Sequence, residues 1–132
     1  MVIGADRHGF VDRARIHQAL VEASRVTSAP IHVSIAPYFW GSVRGAARQA
    51  FRKHRLHRTP ARNGVLFFIV PSRRAFSIIG DVAAHAALGQ TAWESEAQIL
   101  QQHFRTGETT GGLVLAIDEI SRALAPHFPP AE

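Results

Sequence analysis

An uninterrupted apolar run over residues 65–70 (Val-Leu-Phe-Phe-Ile-Val) constrains the fold of this chain more than any other feature. Six residues without a polar break are typical of a central strand that is covered on both faces, as in a parallel or mixed α/β sheet. Pro71-Ser72-Arg73 then has the residue types of a turn, and residues 74–80 return as another apolar segment. The sequence therefore predicts a buried strand followed by a hairpin.

The hairpin places polar residues together at its open end. Asn63-Gly64 precedes the first strand and Gly80-Asp81 follows the second, so we expect the two segments to lie side by side at one pole of the sheet. The candidate ligand-binding residues of this polar pole are Thr59, Arg62, Asn63, Asp81 and His85. Arg62 could clamp an anion while His85 acts as acid or base. Alternatively, Asp81 caps the next helix and pairs with Arg62, and Asn63 serves a turn.

Composition places the chain among globular proteins of one domain. Its 132 residues, 46% of them apolar, suffice for a buried core. The absence of cysteine excludes disulfides, thiolate catalysis and cysteine zinc sites. No apolar run approaches the roughly 20 residues that span a bilayer, and the first residues lack a signal peptide's pattern. We expect a soluble cytoplasmic chain, with a soluble domain of a membrane-associated protein as the open alternative.

Helical spacing of apolar residues predicts helices on both sides of the central strand. One covers residues 11–26, a second begins after Ser42 as its N-cap, and a short third covers residues 82–88. Two more lie near the C-terminus, one opened by a capping box from Thr91 to Glu94 and one by Thr109 or Thr110.

Alternation of Ile31, Val33 and Ile35 with more polar residues predicts a half-buried strand before the second helix. This strand, helix and central strand form a βαβ unit, so its two strands should be parallel, and the hairpin adds a third, antiparallel strand. The order αβαββααα predicts an α/β fold, a three-layer α/β/α sandwich with a small mixed sheet.

The order and spacing of several short motifs resemble the TPM domain family over about 110 residues. The motifs are Asn63-Gly64-Val65-Leu66, Ile79-Gly80, Trp93, Phe104-x-x-Gly107 and Gly112-Leu113-x-x-Ala116-Ile117. The resemblance implies a single Rossmann-like TPM-like domain over residues 1–132, with its core over about residues 11–128. It also implies functions found in the family: divalent cation binding, calcium in particular, weak acid phosphatase activity, or an accessory role in membrane-protein complexes.

The acidic positions of the family's metal pattern hold other residues here. They correspond to Arg62, Ile78 and Gly89-Gln90, which leaves Asp81 as the one nearby carboxylate. Because calcium takes roughly six to eight oxygens and usually several carboxylates, we expect no calcium site and no other cofactor.

Aromatic residues and arginines are expected together at the opposite pole, beyond the carboxyl ends of the parallel strands. The candidate partner-contacting residues there are Tyr38, Phe39, Trp40, Arg73 and Arg74. Ligands of open α/β sheets favour this end, and such residue types are enriched at protein-binding hot spots. The alternative is that Phe39 or Trp40 folds back onto the core.

The densest basic run covers residues 52–58. We interpret it as a solvated helix face rather than a phosphate-binding segment. His54-x-x-His57 could bring two imidazoles to a metal, but no carboxylate lies close in sequence, so we expect no metal there. The net charge of +5 comes almost entirely from arginine and is weak evidence for an anionic partner.

No G-x-S-x-G, P-loop, H-E-x-x-H or G-x-G-x-x-G signature occurs in the sequence. The leading hypothesis is therefore a non-catalytic TPM-type binding or accessory domain with a protein or membrane-associated partner. The alternative is a weak phosphatase or other hydrolase that uses Arg62, Asp81 and His85. A nucleic-acid-binding module is the weakest hypothesis, and homo-oligomerisation is left open.

Overall fold

The computed structural model describes residues 11–131 of the chain. The helices and strands follow one another in the predicted order αβαββααα. They are α1 Arg13–Val26, β1 Ile31–Ile35, α2 Val43–Lys53, β2 Val65–Val70, β3 Ala75–Gly80, α3 Val82–Leu88, α4 Gln90–Arg105 and α5 Thr109–Leu124. Two short 3-10 turns, Leu56–Arg58 and Pro71–Arg73, precede β2 and β3.

The sheet has the order β1-β2-β3, with the apolar run in the middle. β1 and β2 are parallel, with Ile31 opposite Val65. β2 and β3 form the predicted antiparallel hairpin, with Val65 opposite Gly80 and Val70 opposite Ala75. The sequence-based prediction of a mixed sheet is confirmed.

Every residue of β2 is buried, because helices cover both faces of this strand. Successive side chains of a strand point to opposite faces, and here each set joins a different apolar cluster. One face packs against α1, α4 and α5 through Val65, Phe67 and Ile69; the other packs against α2 through Leu66, Phe68 and Val70. The result is the expected three-layer α/β/α sandwich.

Side-chain caps fix the starts of three helices. The Asp12 carboxylate accepts from the Ala14 and Arg15 amides at the start of α1. Ser42 Oγ accepts from the Gly45 amide at 3.0 Å, as predicted for the second helix, and Asp81 caps α3. These bonds satisfy backbone donors that have no partner within the helix.

The predicted capping box from Thr91 to Glu94 is wrong. α4 already begins at Gln90, directly after Gly89, and has no side-chain cap. Glu94 instead accepts a hydrogen bond from the Gln90 side-chain amide at 3.0 Å. The break between α3 and α4 is a single residue, Gly89 at φ +86°, so no loop remains in which a threonine cap could form.

Two glycines of the hairpin are required by close approach of other groups. A Cβ on Gly64 would lie 2.9 Å from the carbonyl oxygen of Leu56, and one on Gly80 would lie 2.9 Å from the Trp93 ring. The space at these glycines therefore lets the 3-10 turn and α4 pack against the end of the hairpin.

None of the helices within residues 11–131 is both long and apolar enough to cross a membrane.

Candidate functional site

The hairpin brings the two halves of the polar pole together, as the sequence predicts. The amide of Asp81 donates to the carbonyl of Gly64 at 2.9 Å, and the amide of Ala83 donates to the carbonyl of Arg62 at 2.9 Å. The start of α3 is thereby joined to the segment that leads into β2.

Arg62 and Asp81 form a two-pronged ion pair. Arg62 Nε lies 2.7 Å from Asp81 Oδ2, and Arg62 Nη2 lies 3.0 Å from Oδ1. Asp81 Oδ1 also accepts from the Val82 amide at 2.9 Å and so caps α3. The guanidinium and this amide hold the pKa of Asp81 below its ordinary value, although burial opposes the shift. Both carboxylate oxygens are therefore used within the protein.

Arg62 makes this pair from an uncommon backbone conformation. Its φ of +53° lies in the left-handed region, which costs a residue with a Cβ roughly 1–2 kcal/mol. The ion pair and the bond from the Ala83 amide hold it there. Arg62 thus has a structural role at the polar pole.

Thr59 and Asn63 complete the turn beside this pair. The Asn63 amide donates to Thr59 Oγ1 at 3.2 Å, and the Thr59 hydroxyl lies 3.4 Å from Asn63 Oδ1. Asn63 is 4% exposed, so its side chain serves the turn rather than solvent or a ligand. The alternative reading of Asp81 and Asn63 as cap and turn residues describes their geometry.

His57 lies close enough to the polar pole to be affected by both charges of the ion pair, a position that its interpretation as half of a histidine pair did not predict. Partial burial lowers its pKa, and the positive charges of Arg52, Arg58 and Arg62 act in the same direction. Its Nδ1 is buried without a hydrogen-bond partner in the described part of the chain. Its place in the basic run and its spacing from His54 are the sequence features of this position, and neither points to the polar pole.

The His85 side chain turns away from the ion pair. Its Nε2 lies 2.8 Å from Gln90 Oε1, and its ring lies parallel to that of Trp93 with centroids 6.4 Å apart. With Arg44 and Glu94 it borders a shallow cavity of about 330 Å³ beside β3. The His85 amide donates to the carbonyl of Asp81 at 2.8 Å, so His85 lies at the polar pole, but its side chain bonds to neither Arg62 nor Asp81.

Residues 38–40, here called the aromatic loop, follow β1 at the other end of the sheet. Trp40 is 80% exposed and Tyr38 57% exposed. Phe39 lies between them in sequence but packs edge-on against Phe68, with ring centroids 6.1 Å apart. Of the two aromatic residues for which core packing was the alternative, Phe39 is half-buried against the core and Trp40 is exposed.

Arg73 fixes the backbone of the aromatic loop. Its Nη1 donates to the carbonyls of Phe39 at 3.0 Å and Gly41 at 2.8 Å. Immediately afterwards, Ser42 caps α2. The exposed Trp40 is therefore carried by a backbone that is held on both sides.

Arg74, the fifth residue predicted at this end, does not join the aromatic loop. Its Nη1 donates to the carbonyl of Arg105 at 3.0 Å, at the end of α4. Arg74 has φ +50°, and this left-handed turn directs it away from Arg73. The expectation that both arginines approach the loop is correct for Arg73 alone.

The basic run after α2 does not bring its two histidines together. The His54 ring packs against that of His32 on β1, with centroids 4.1 Å apart, whereas His57 lies in the 3-10 turn beside the polar pole. The spacing of His54 and His57 would place them on one face of a helix, but α2 ends at Lys53, before either histidine.

A carboxyl pair joins Glu96 on α4 to Glu119 on α5. Burial, a hydrogen bond to Glu119 and the charge of that carboxylate raise the pKa of Glu96 to about 7. Glu96 Oε1 is buried without a partner among the described residues. This contact is therefore sensitive to pH near neutrality.

Comparison with known proteins identifies a family. A family model described as TPM domain matches residues 6–123, which is most of the chain. No curated protein matches the sequence.

Solved structures match almost the whole fold. The NMR structure of BA42 protein from the psychrophilic bacterium Bizionia argentinensis is 25% identical, with a TM-score of 0.84, and the match covers 98% of this chain and 91% of that one. The N-terminal domain of a protein from P. gingivalis is 14% identical, with a TM-score of 0.74 and coverage of 96% and 83%. The second likeness shows the fold alone.

Proposed function

Because the chain belongs to the TPM domain family, we propose that it is a non-catalytic binding domain, accessory to a protein complex or a membrane-associated partner. The aromatic loop is its contact surface. The observation that carries this proposal is the 80% exposure of Trp40 on a backbone fixed by Arg73 and by the cap of α2. An exposed indole on a fixed loop loses little conformational entropy when a partner covers it.

The alternative, a hydrolase at the polar pole, has less support. Arg62 and Asp81 are bound to each other, and His85 bonds to Gln90. Hydrolysis of a phosphate ester needs a nucleophile, base or metal within reach of the substrate. Turnover of para-nitrophenyl phosphate that falls sharply in both Asp81→Ala and His85→Ala would favour the hydrolase.

We further propose that the polar pole takes no calcium. The family's acidic positions hold Arg62, Ile78 and Gly89-Gln90, and the carboxylate of Asp81 already binds a guanidinium and an amide. Among the described residues, no three side chains of His, Asp or Glu gather into a possible metal site. A calcium ion would have to displace Arg62 and still find most of its oxygens elsewhere.

Copurification from the native host tests the contact surface. Trp40→Ser should lose a partner that the wild-type chain retains, whereas Val82→Ser should retain it. Val82 is a matched control because it is 63% exposed and apolar but lies at the polar pole. If Val82→Ser loses the partner and Trp40→Ser retains it, the contact lies at the polar pole and the proposal is contradicted.

A further inference from the structure

A row of arginines runs along α2 from the aromatic loop. Arg44, Arg48 and Arg52 are four residues apart and exposed, so they share one face of the helix, with successive Cα atoms about 6 Å apart. The first of them lies four residues after Trp40. The row therefore begins one helical turn, in sequence, after the exposed indole.

The arginine row has no acidic partner in the part of the chain that the structure describes. The ion pairs there are Arg62–Asp81 and Arg122–Asp118, and neither involves a guanidinium of the row. Repulsion among unpaired like charges on one helix face is unfavourable. An anionic partner would remove this repulsion.

Charge is divided unevenly along the sequence, and α2 lies in the basic part. Residues 23–80 contain ten arginines and lysines and no aspartate or glutamate. Residues 81–132 contain seven acidic residues and two arginines. The row therefore has no carboxylate near it in sequence. In space, Glu94 borders the same cavity as Arg44 without forming an ion pair with it, so the positive charge of the row can still attract a partner.

Arginine pairs with carboxylate and phosphate alike, and the aromatic residues close to the row in sequence are what favour a protein as the anionic partner. Arginine binds carboxylate with two parallel hydrogen bonds, and Arg62 and Asp81 show this geometry within the chain itself. Tryptophan, tyrosine and arginine are the residues most enriched at protein-binding hot spots, and Tyr38 and Trp40 adjoin the row.

We infer that the arginine row binds an acidic segment of a partner protein. This inference rests on the proposed function, because it assigns a partner chemistry to the surface that begins at the aromatic loop. The row supplies charge and orientation, and the loop supplies apolar contact. Association should accordingly weaken as salt increases.

Fluorescence anisotropy with labelled poly-L-glutamate tests the inference. The triple variant Arg44→Glu, Arg48→Glu, Arg52→Glu should bind this probe at least about tenfold more weakly than wild type. Its matched control is Arg13→Glu, Arg15→Glu, Arg25→Glu on α1, where the arginines are also exposed and the net charge change is identical. The control should lose less than about threefold. If the glutamate row unfolds α2, the corresponding glutamine variants give the same comparison.

Three outcomes would overturn the inference. They are equal losses in the two triple variants, absence of binding by wild type at low salt, and tighter row-dependent binding to duplex DNA or phosphatidylserine vesicles. Trp40→Ser should keep binding to poly-L-glutamate, because the probe has no apolar side chain to cover the indole. If the aromatic loop is not the contact surface, copurification will show it, and the poly-L-glutamate affinities that test the arginine row will not change.

Discussion

The two ends of the sheet both use an arginine, but what each arginine leaves exposed is different. At the polar pole, Arg62 binds the buried carboxylate of Asp81, so the charged groups satisfy each other. At the aromatic loop, Arg73 binds two backbone carbonyls and leaves the indole of Trp40 uncovered. Whether a surface can bind a partner therefore depends on which of its groups have no contact within the protein, and residue composition alone does not show this.

The largest expected effect separates the two aromatic residues of the loop. Phe39→Ser should lower the free energy of unfolding by about 3 kcal/mol, because it removes the ring that packs on Phe68 and leaves a hydroxyl in its place. Trp40→Ser should change it by less than about 0.5 kcal/mol. Urea denaturation of both variants measures the difference. If both variants lose the same free energy of unfolding, Trp40 packs against the core as Phe39 does, and the aromatic loop does not differ from the polar pole as described.

Removal of the Asp81 carboxylate should have the next largest effect. Asp81→Ala loses the cap of α3 and leaves Arg62 unpaired in a left-handed conformation, so we expect a loss of about 2 kcal/mol near neutral pH. Because the folded protein lowers the pKa of Asp81, this stabilisation should disappear as the pH falls through that pKa.

The control for Asp81 is an exposed pair of the same residue types. Asp118→Ala breaks the bond from Arg122 Nε to Asp118 Oδ1 within α5 and should cost less than about 0.5 kcal/mol. Similar losses in the two variants, measured by urea denaturation, would contradict the structural role given to the polar pole.

Sequence patterns predicted the layers of this fold well because those layers depend on burial. The apolar run of residues 65–70 can lie only between two covered faces, and the neighbouring helices have the spacing to cover them. Gly64 and Gly80 mark the places where other groups approach the hairpin end. The apolar run and the helical spacing are patterns of neighbouring residues, so they can be recognised in a single sequence.

The details of the site were harder to predict because they depend on single side-chain directions. The His85 amide bonds to the carbonyl of Asp81 at the start of α3, yet the His85 side chain bonds to Gln90. Arg73 and Arg74 are adjacent, yet the left-handed φ of Arg74 sends them to different elements. Competition between local hydrogen-bond partners decides such directions, and a single sequence does not reveal its outcome.

Glu96 should make a smaller contribution to stability than Asp81, with the opposite dependence on pH. Glu96 has a pKa raised to about 7 from 4.5, so the folded protein keeps a proton that the unfolded chain releases. Stability from this group therefore decreases as the pH rises from about 4.5 through 7. This trend is opposite to that of Asp81.

Glu96→Gln should remove that decrease and raise the free energy of unfolding by about 1 kcal/mol at about pH 8, after allowance for partial exposure. At acidic pH the variant and wild type should agree. His32, whose pKa is lowered by burial and by His54, adds an opposite trend that cancels in the comparison. If Glu96→Gln raises the free energy of unfolding by the same amount at every pH, the raised pKa of Glu96 does not explain the gain.

Calcium should have the smallest effect. A micromolar site would raise the free energy of unfolding by about 4 kcal/mol in millimolar calcium. Because Arg62 already occupies the carboxylate of Asp81, we expect no change in thermal stability between calcium and a chelator, with magnesium as the matched salt. A saturable increase specific to calcium would show that the polar pole binds the ion.

Site-specific photo-crosslinking in the native host tests the difference between the two ends most directly. Benzoylphenylalanine placed at Trp40 or at Val82 compares two exposed apolar positions, one at the aromatic loop and one at the polar pole. We expect a discrete protein adduct from position 40 and none from position 82. Adducts from position 82 alone would contradict the assignment of the aromatic loop as the contact surface.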